Sequence, residues 1–276
     1  MAAEKKKRNV KKIVVRVLIG VAAFLLAEWC FIGWKFNFGP FKALGEIRLK
    51  GMPGNSDAYD FSKIEPMENS PLQGKTVLFL GSSVTNGAAA LHQSIPEYFA
   101  ARMGCTAIKE AVDGTTLCDT GKSSYIQRML NNVDPDQQID LVVCQLSTND
   151  ASKGMPLGDF GDDTATITGA IEYIIRYAKE TWHCPVVFYT NARYDSDAYP
   201  AMVSRLYEIA EKEDVGVLDL WSDDAFNSIS EEQRALYMKD NIHPYKSGYR
   251  DWWGPELEKQ LLAYLEPVSY THLRAH

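Results

Sequence analysis

The longest apolar stretch in the chain comes near its start. Ile13 to Trp34 is a run of 22 residues in which only Arg16 and Glu28 carry charge. Lys5, Lys6, Lys7, Arg8, Lys11 and Lys12 precede it. A membrane-spanning helix needs about 20 such residues. Arg16 lies near the entry and can extend its head to the interface, while Trp29 and Trp34 suit the far boundary. The basic flank is expected to stay cytoplasmic, which exports whatever follows. A cleaved signal peptide presents a similar start. No small-x-small cleavage site follows the run, however, and Glu28 and Trp29 occupy the lipobox positions before Cys30. The pattern predicts a cytoplasmic tail over 1–12 and a single-pass signal-anchor over 13–34, with secretion after cleavage as the alternative.

Residues 35–74 are broken by Gly39, Pro40, Gly45, Gly51, Pro53, Gly54, Pro66, Pro71 and Gly74 and read as a stalk or lead-in. From Lys75 the pattern changes. Short apolar runs (Val77–Leu80, Thr106–Ala111, Leu141–Leu146, Pro185–Thr190 and Val215–Leu220) alternate with helical spacings. Ile126, Met129, Leu130 and Val133 share one helix face; so do Ile171, Ile174, Ile175, Ala178 and Trp182, and again Trp253, Leu257, Leu261 and Leu265. Five β–α alternations predict a three-layer α/β/α sandwich around a parallel sheet, over 75–267. In such sheets ligands bind beyond the carboxyl ends of the strands. The final residues, 268–276 (VSYTHLRAH), continue no pattern and resemble the in-frame translation of a sequencing adaptor. They are set aside, and with them His272 and His276.

Charge sharpens the division. The net charge is −7, but residues 1–34 hold seven Lys/Arg against two Glu, so they carry +5 and the rest −12. An acidic body lacks the basic face that a nucleic-acid partner requires. A hydrophobic content of 46% excludes disorder, and five cysteines are too few for a disulfide scaffold of this length. Cys105, Cys118, Cys144 and Cys184 allow three disulfide pairings, and Cys144 sits in a strand as a small core residue.

Candidate chemistry falls after the runs. Gly81 to Gly87 (GSSVTNG) places serines at a strand-to-helix turn. It is not a G-x-S-x-G elbow, because Thr85 replaces the second glycine, and no Gly-Lys-Ser/Thr makes it a P-loop. A serine N-cap is the plain alternative. Gly114 lies after the second run, where a glycine lets a backbone N–H approach a ligand, or simply turns the chain. Asn149 follows the third run; its amide can donate to an oxyanion, or can cap the strand end. Near the end, Asp240 and His243 stand three apart before Pro244. A carboxylate there can hold the imidazole tautomer and leave the other ring nitrogen as a base, or the two can form a surface pair. His92 and His183 have no paired ligand and read as surface or packed residues. Asp159, Asp162 and Asp163 lack calcium-loop spacing, and Asp163 reads as a cap for the helix toward Trp182.

Taken together, a serine, two oxyanion donors and an oriented base line one sheet edge, and here the chain from about Lys75 to Leu265 resembles the SGNH hydrolase family, also called GDSL-type esterases. Gly81, Ser82 and Ser83 match its Gly-Asp-Ser block. Gly114 matches the second-block glycine, Ser147 to Asp150 match Gly-x-Asn-Asp, and Asp240 with His243 match Asp-x-x-His. Ser82 replaces the family's acid, and Ser147 replaces its third-block glycine. The resemblance implies strand order 2-1-3-4-5. It also implies ester hydrolysis by Ser83, His243 and Asp240, with an oxyanion hole from Ser83, Gly114 and Asn149, and with neither metal nor organic cofactor. The expected substrate is a small acyl ester or an acylated glycan of the cell envelope, reached from outside the cytoplasm. An O-acyltransferase using the same residues is the alternative, and a non-catalytic glycan-binding module a third reading.

Overall fold

The computed structural model describes residues 2–36 and 39–266. The adaptor-like residues 268–276 lie outside them. The chain divides into two compact units, Met1–Met52 and Pro53–His276.

The first unit is dominated by α1 (Ala2–Phe36), followed by α2 (Lys42–Lys50). Within α1 the stretch Asn9–Lys35 is long and apolar enough to span a membrane. Its apolar side chains are not packed away. Leu18, Ile19 and Phe24 are each more than 60% exposed, a cost in water that disappears in lipid.

The second unit contains five parallel strands, β1 (Thr76–Gly81), β2 (Thr106–Ala111), β3 (Leu141–Gln145), β4 (Val186–Tyr189) and β5 (Gly216–Leu218), in the order β2-β1-β3-β4-β5. Both faces are covered, because the strands alternate two complete apolar sets. Leu78, Leu80, Val142, Cys144, Val186 and Phe188 pack on one side. They meet α5 (Tyr125–Asn132), α7 (Ile167–Tyr177) and α8 (Tyr199–Glu213) through Ile126, Met129, Ile171, Ile174, Met202 and Leu206. Val77, Phe79, Val143, Val187 and Tyr189 face the other way. They meet α4 (Ile95–Met103) and the C-terminal helix Gly254–Leu265 through Ile95, Phe99, Trp253, Leu257 and Leu261. The result is a three-layer α/β/α sandwich with the predicted strand order.

Helix ends follow local chemistry. Ser94 and Glu97 form a reciprocal capping box on α4, and Gly104 ends it in the left-handed region. Ser124 caps α5. On α7 the cap is Thr166, whose side chain accepts from the Gly169 amide, and not the expected Asp163, which instead accepts from Ala165 N–H in the preceding loop.

The lead-in differs from a stalk. The second unit starts at Pro53, well before the expected 75. Residues 53–63 make three short 3₁₀ turns, and Phe61 and Leu72 enter the core beside α4. Asn55 is buried and bridges two distant segments: its Nδ2 donates to the Ala89 carbonyl at 2.8 Å and its Oδ1 accepts from the Lys246 N–H at 3.0 Å. Isolated anchors separated by Gly and Pro carry no period, which is why this packing is invisible as a pattern.

Candidate active site

The turn after β1 is built around the absence of a side chain at Gly81. A Cβ there would fall 1.6 Å from the Thr85 hydroxyl, so Thr85 can fold back onto the strand end only over glycine. Helix α3 (Ser83–Asn86) begins directly after this bend and is stopped by Gly87 in the left-handed region. Ser82 is fully buried and points at the sheet. Its N–H donates to Gln145 Oε1 at 2.9 Å, and its hydroxyl reaches the same oxygen at 3.3 Å. Thr85 Oγ1 also donates to Gln145 Oε1, at 2.9 Å, and lies 2.6 Å from the Tyr189 hydroxyl. Burial raises the Tyr189 hydroxyl far above the usual phenol range; with the Thr85 hydrogen on Gln145, the Tyr189 hydroxyl is left as the donor to Thr85. A buried amide oxygen therefore organises the turn where the family pattern has an acid at position 82.

Ser83, one residue further, faces the opposite way and is 8% exposed. Its Oγ lies 2.8 Å from His243 Nε2. The other ring nitrogen of His243, Nδ1, is 2.8 Å and 3.0 Å from the two Asp240 carboxylate oxygens. The loop holding the pair is closed by local bonds. Asp240 Oδ1 accepts the N–H groups of Ile242 and His243, each at 2.9 Å. A Met238–Pro244 bridge and the Lys239 N–H bond to the His243 carbonyl fix the base of the loop. Burial works to raise the Asp240 carboxyl, but the His243 ring and these two amides outweigh it and hold the group well below the usual carboxylate range. The carboxylate is thus ionised at neutral pH, and Nδ1 carries the proton it accepts, which leaves Nε2 to accept the Ser83 proton.

Gly114 adopts φ +74°, and a Cβ there would meet nothing within 4 Å, so the glycine answers to backbone conformation and leaves open space above the loop. Asn149 lies in the first turn of α6 (Thr148–Ser152). One of its amide hydrogens goes to the Thr115 carbonyl at 2.9 Å, next to Gly114. Ser147, in place of the family's glycine, caps α6 through its hydroxyl. The buried Asp150 carboxylate accepts the amides of Leu117 at 2.8 Å and Cys118 at 2.9 Å, which pins the Gly114 loop against the end of β3. On the other side, Asn86 Nδ2 donates to Asp113 at 2.7 Å, joining that loop to α3. The structure thus links Ser83, His243 and Asp240 in one hydrogen-bonded line, and sets Gly114 and Asn149 on segments tied to each other and to α3.

Residues 79–250 match the sequence pattern of the GDSL-like lipase/acylhydrolase family. The chain belongs to that family. It is a GDSL-type serine ester hydrolase. No curated protein matches its sequence. Among solved structures, a protein from Lactobacillus plantarum is 21% identical, with 70% of this chain and 97% of that one covered and a TM-score of 0.57. A Bacteroides ovatus protein described as a GDSL-like lipase is 16% identical, covering 70% and 98%, with a TM-score of 0.51. A family two carbohydrate esterase from Clostridium thermocellum, in complex with cellohexaose, is 16% identical, covering 73% and 66%, with a TM-score of 0.50. These likenesses concern the fold.

Reading the sequence of this hydrolase missed Gln145, Asp150 and Asn55 as organising groups. Gln145 is the one polar residue in the run Leu141–Leu146, and that was the available signal. The five cysteines are free. Burial pushes the thiols of Cys105 and Cys184 up to about 11 and those of Cys118 and Cys144 further, so these four are unreactive core groups. His92 and His183 are exposed, and both occupy left-handed backbone positions.

Proposed function

We propose that this hydrolase cleaves acyl esters of carbohydrate outside the cytoplasm, held at the membrane by its N-terminal helix. The observation that carries the chemistry is the line from Ser83 Oγ through His243 to Asp240, with both contacts at 2.8 Å. His243 Nε2 takes the Ser83 proton as Oγ attacks the ester carbonyl. The tetrahedral oxyanion accepts from the Ser83 and Gly114 N–H groups and the Asn149 amide. The C–O bond to the alcohol then breaks, and His243 returns its proton to that alkoxide. Water, deprotonated by the same nitrogen, attacks the acyl-Ser83 carbonyl, and the acid leaves with Ser83 reprotonated. Asp240 keeps the imidazole oriented and stabilises its cation throughout.

The glycan assignment is supported by the polar content of loops 151–165 and 191–200, which flank the strand ends, and by the fold shared with a carbohydrate esterase. The membrane assignment is supported by the length and composition of α1 and the basic residues before it. The purified chain is to be offered short-chain p-nitrophenyl esters, acetylated xylan and O-acetylated peptidoglycan. Free acetate should appear, fastest from a glycan. Acetate transferred to an added sugar in preference to water would reveal an acyltransferase, and no turnover of any ester would end the hydrolase assignment. A reporter fused after Glu266 should be active only in an exported form, and activity confined to the cytoplasm would refute the orientation.

A further inference from the structure

A buried cation joins the two loops beneath the catalytic groups. Arg128 lies on α5 with its side chain 4% exposed. Its Nε donates to the Ser123 carbonyl at 3.0 Å. Its Nη2 donates to the Gly81 carbonyl at 2.7 Å and reaches the Thr115 hydroxyl at 3.3 Å. Gly81 stands two residues before Ser83. Thr115 follows Gly114, and its carbonyl receives the Asn149 amide. One guanidinium therefore contacts the segment carrying Ser83 and the loop carrying Gly114, and the second of these is where Asn149 is tied down.

The position is expensive. Nη1 is buried with no hydrogen-bond partner among the described residues. Glu110 Oε2 lies 3.9 Å from it, beyond hydrogen-bond distance, and the Tyr125 ring centre is 5.4 Å from the guanidinium carbon. Burial opposes the charge, and a guanidinium cannot shed its proton to escape that cost. A buried ion with an incomplete set of partners weakens a fold. The same setting gives the charge a use. In a poorly hydrated site, a fixed cation favours an anion that forms during reaction over the neutral ground state.

We propose that Arg128 is a positioning residue for ester hydrolysis. It holds the Gly81–Ser83 turn and the Gly114–Thr115 loop at the separation the tetrahedral oxyanion needs, and its incompletely paired charge favours that anion. The inference rests on the Ser83 reading above. It locates the effect in the transition state, so kcat falls while KM for a neutral ester stays. Affinity for a boronic acid, which becomes a tetrahedral anion on the catalytic serine, falls with kcat.

The test uses the full chain in detergent, p-nitrophenyl acetate as substrate, phenylboronic acid as inhibitor, and thermal unfolding as the control. Arg128→Met removes charge and fork together, whereas Arg128→Lys keeps the charge and loses the planar fork. Arg128→Met should lose roughly ten- to a hundred-fold in kcat, with KM within about two-fold and the boronate Ki raised at least about ten-fold. Arg128→Lys should show the same split at about three- to ten-fold, and it decides the matter alone if the Met variant does not fold. Boronate affinity equal to wild type in the folded variants overturns the proposal. So does a kcat loss that Lys rescues no better than Met while KM rises in step. Ser83→Ala separates the two failures. If it is inactive while Arg128→Met behaves as wild type, only the role of Arg128 falls; if it remains active, the Ser83 reading falls first.

Discussion

Ser83 and His243 meet at 2.8 Å, yet the regions that bring them there are made differently. The serine turn is part of the core. Ser82, Thr85 and Gln145 are fully buried, and their bonds converge on one amide oxygen at the end of the central strand β3. The histidine loop lies near the surface, with the Asp240 side chain 44% exposed and that of His243 24% exposed. Its geometry comes from bonds spanning two to four residues. The proposed nucleophile is thus positioned by tertiary structure and the proposed base by local structure, with Asn55 bridging Ala89, just beyond α3, to Lys246, just beyond His243. Substitutions of Gln145 or Thr85, which break the buried bonds of the serine turn, should lose stability and activity together, while substitutions in the loop should change activity far more than stability.

The largest break in that comparison is Ser83→Ala. It removes the attacking oxygen but none of the bonds to Gln145, so steady-state ester hydrolysis should fall on the order of 10⁶-fold with thermal unfolding near wild type. Asp240→Asn comes next. A buried triad aspartate is worth about 10⁴ in kcat, and water can partly replace a carboxylate this exposed, so the expected loss is about 10³. The same variant tests stability with a definite sign. The fold holds the Asp240 carboxyl below its usual range, so its contribution is complete above about pH 4, where the unfolded chain would also ionise it, and fades as pH falls below that. The Tm difference between wild type and Asp240→Asn should therefore narrow on acidification; a difference that widens would contradict the assigned hydrogen bonds. Asn149→Ala removes the amide proposed as an oxyanion donor and should cost roughly 10²–10³ in kcat with little change in KM. An unchanged kcat would reduce Asn149 to its bond with Thr115. The smallest effect is Ser82→Ala. Its hydroxyl bond is long at 3.3 Å, and Gln145 retains the Ser82 N–H and the Thr85 hydroxyl, so activity should stay within about five-fold of wild type, measured in the same assay.

The legible part of the molecule is the part with a period. The inner runs hold strands because buried parallel strands are continuous apolar segments, the edge run Thr106–Ala111 holds a partly exposed strand that carries Lys109 and Glu110, and the three named helix faces hold helices because their spacing matches the helical period. The residues after the runs were legible as chemistry because Gly, Ser and Asn are odd choices at the end of a buried strand, and Asp240 and His243 because a carboxylate and an imidazole three apart stand in one loop near the C-terminal helix. What stayed hidden has no period. Phe61 and Leu72 anchor the lead-in singly among Gly and Pro. Gln145 passes as one residue within the apolar run Leu141–Leu146, and its role depends on Ser82 and Thr85 arriving from about sixty residues away. Arg128, one position before Met129, looks like the solvated edge of an amphipathic helix, and only the fold shows that Gly81 and Thr115 lie within its reach. Buried polar groups take their meaning from tertiary neighbours, which a local pattern does not contain.

The second serine of Gly81-Ser82-Ser83 is the proposed nucleophile, because the turn sends the first toward Gln145 and the second toward His243. The most direct measurement is reaction of the full chain with a serine-directed phosphonate, followed by peptide mapping of the adduct. A single adduct on Ser83, lost in Ser83→Ala and kept in Ser82→Ala, is the predicted result. An adduct on Ser82, or labelling that survives Ser83→Ala, would contradict the account.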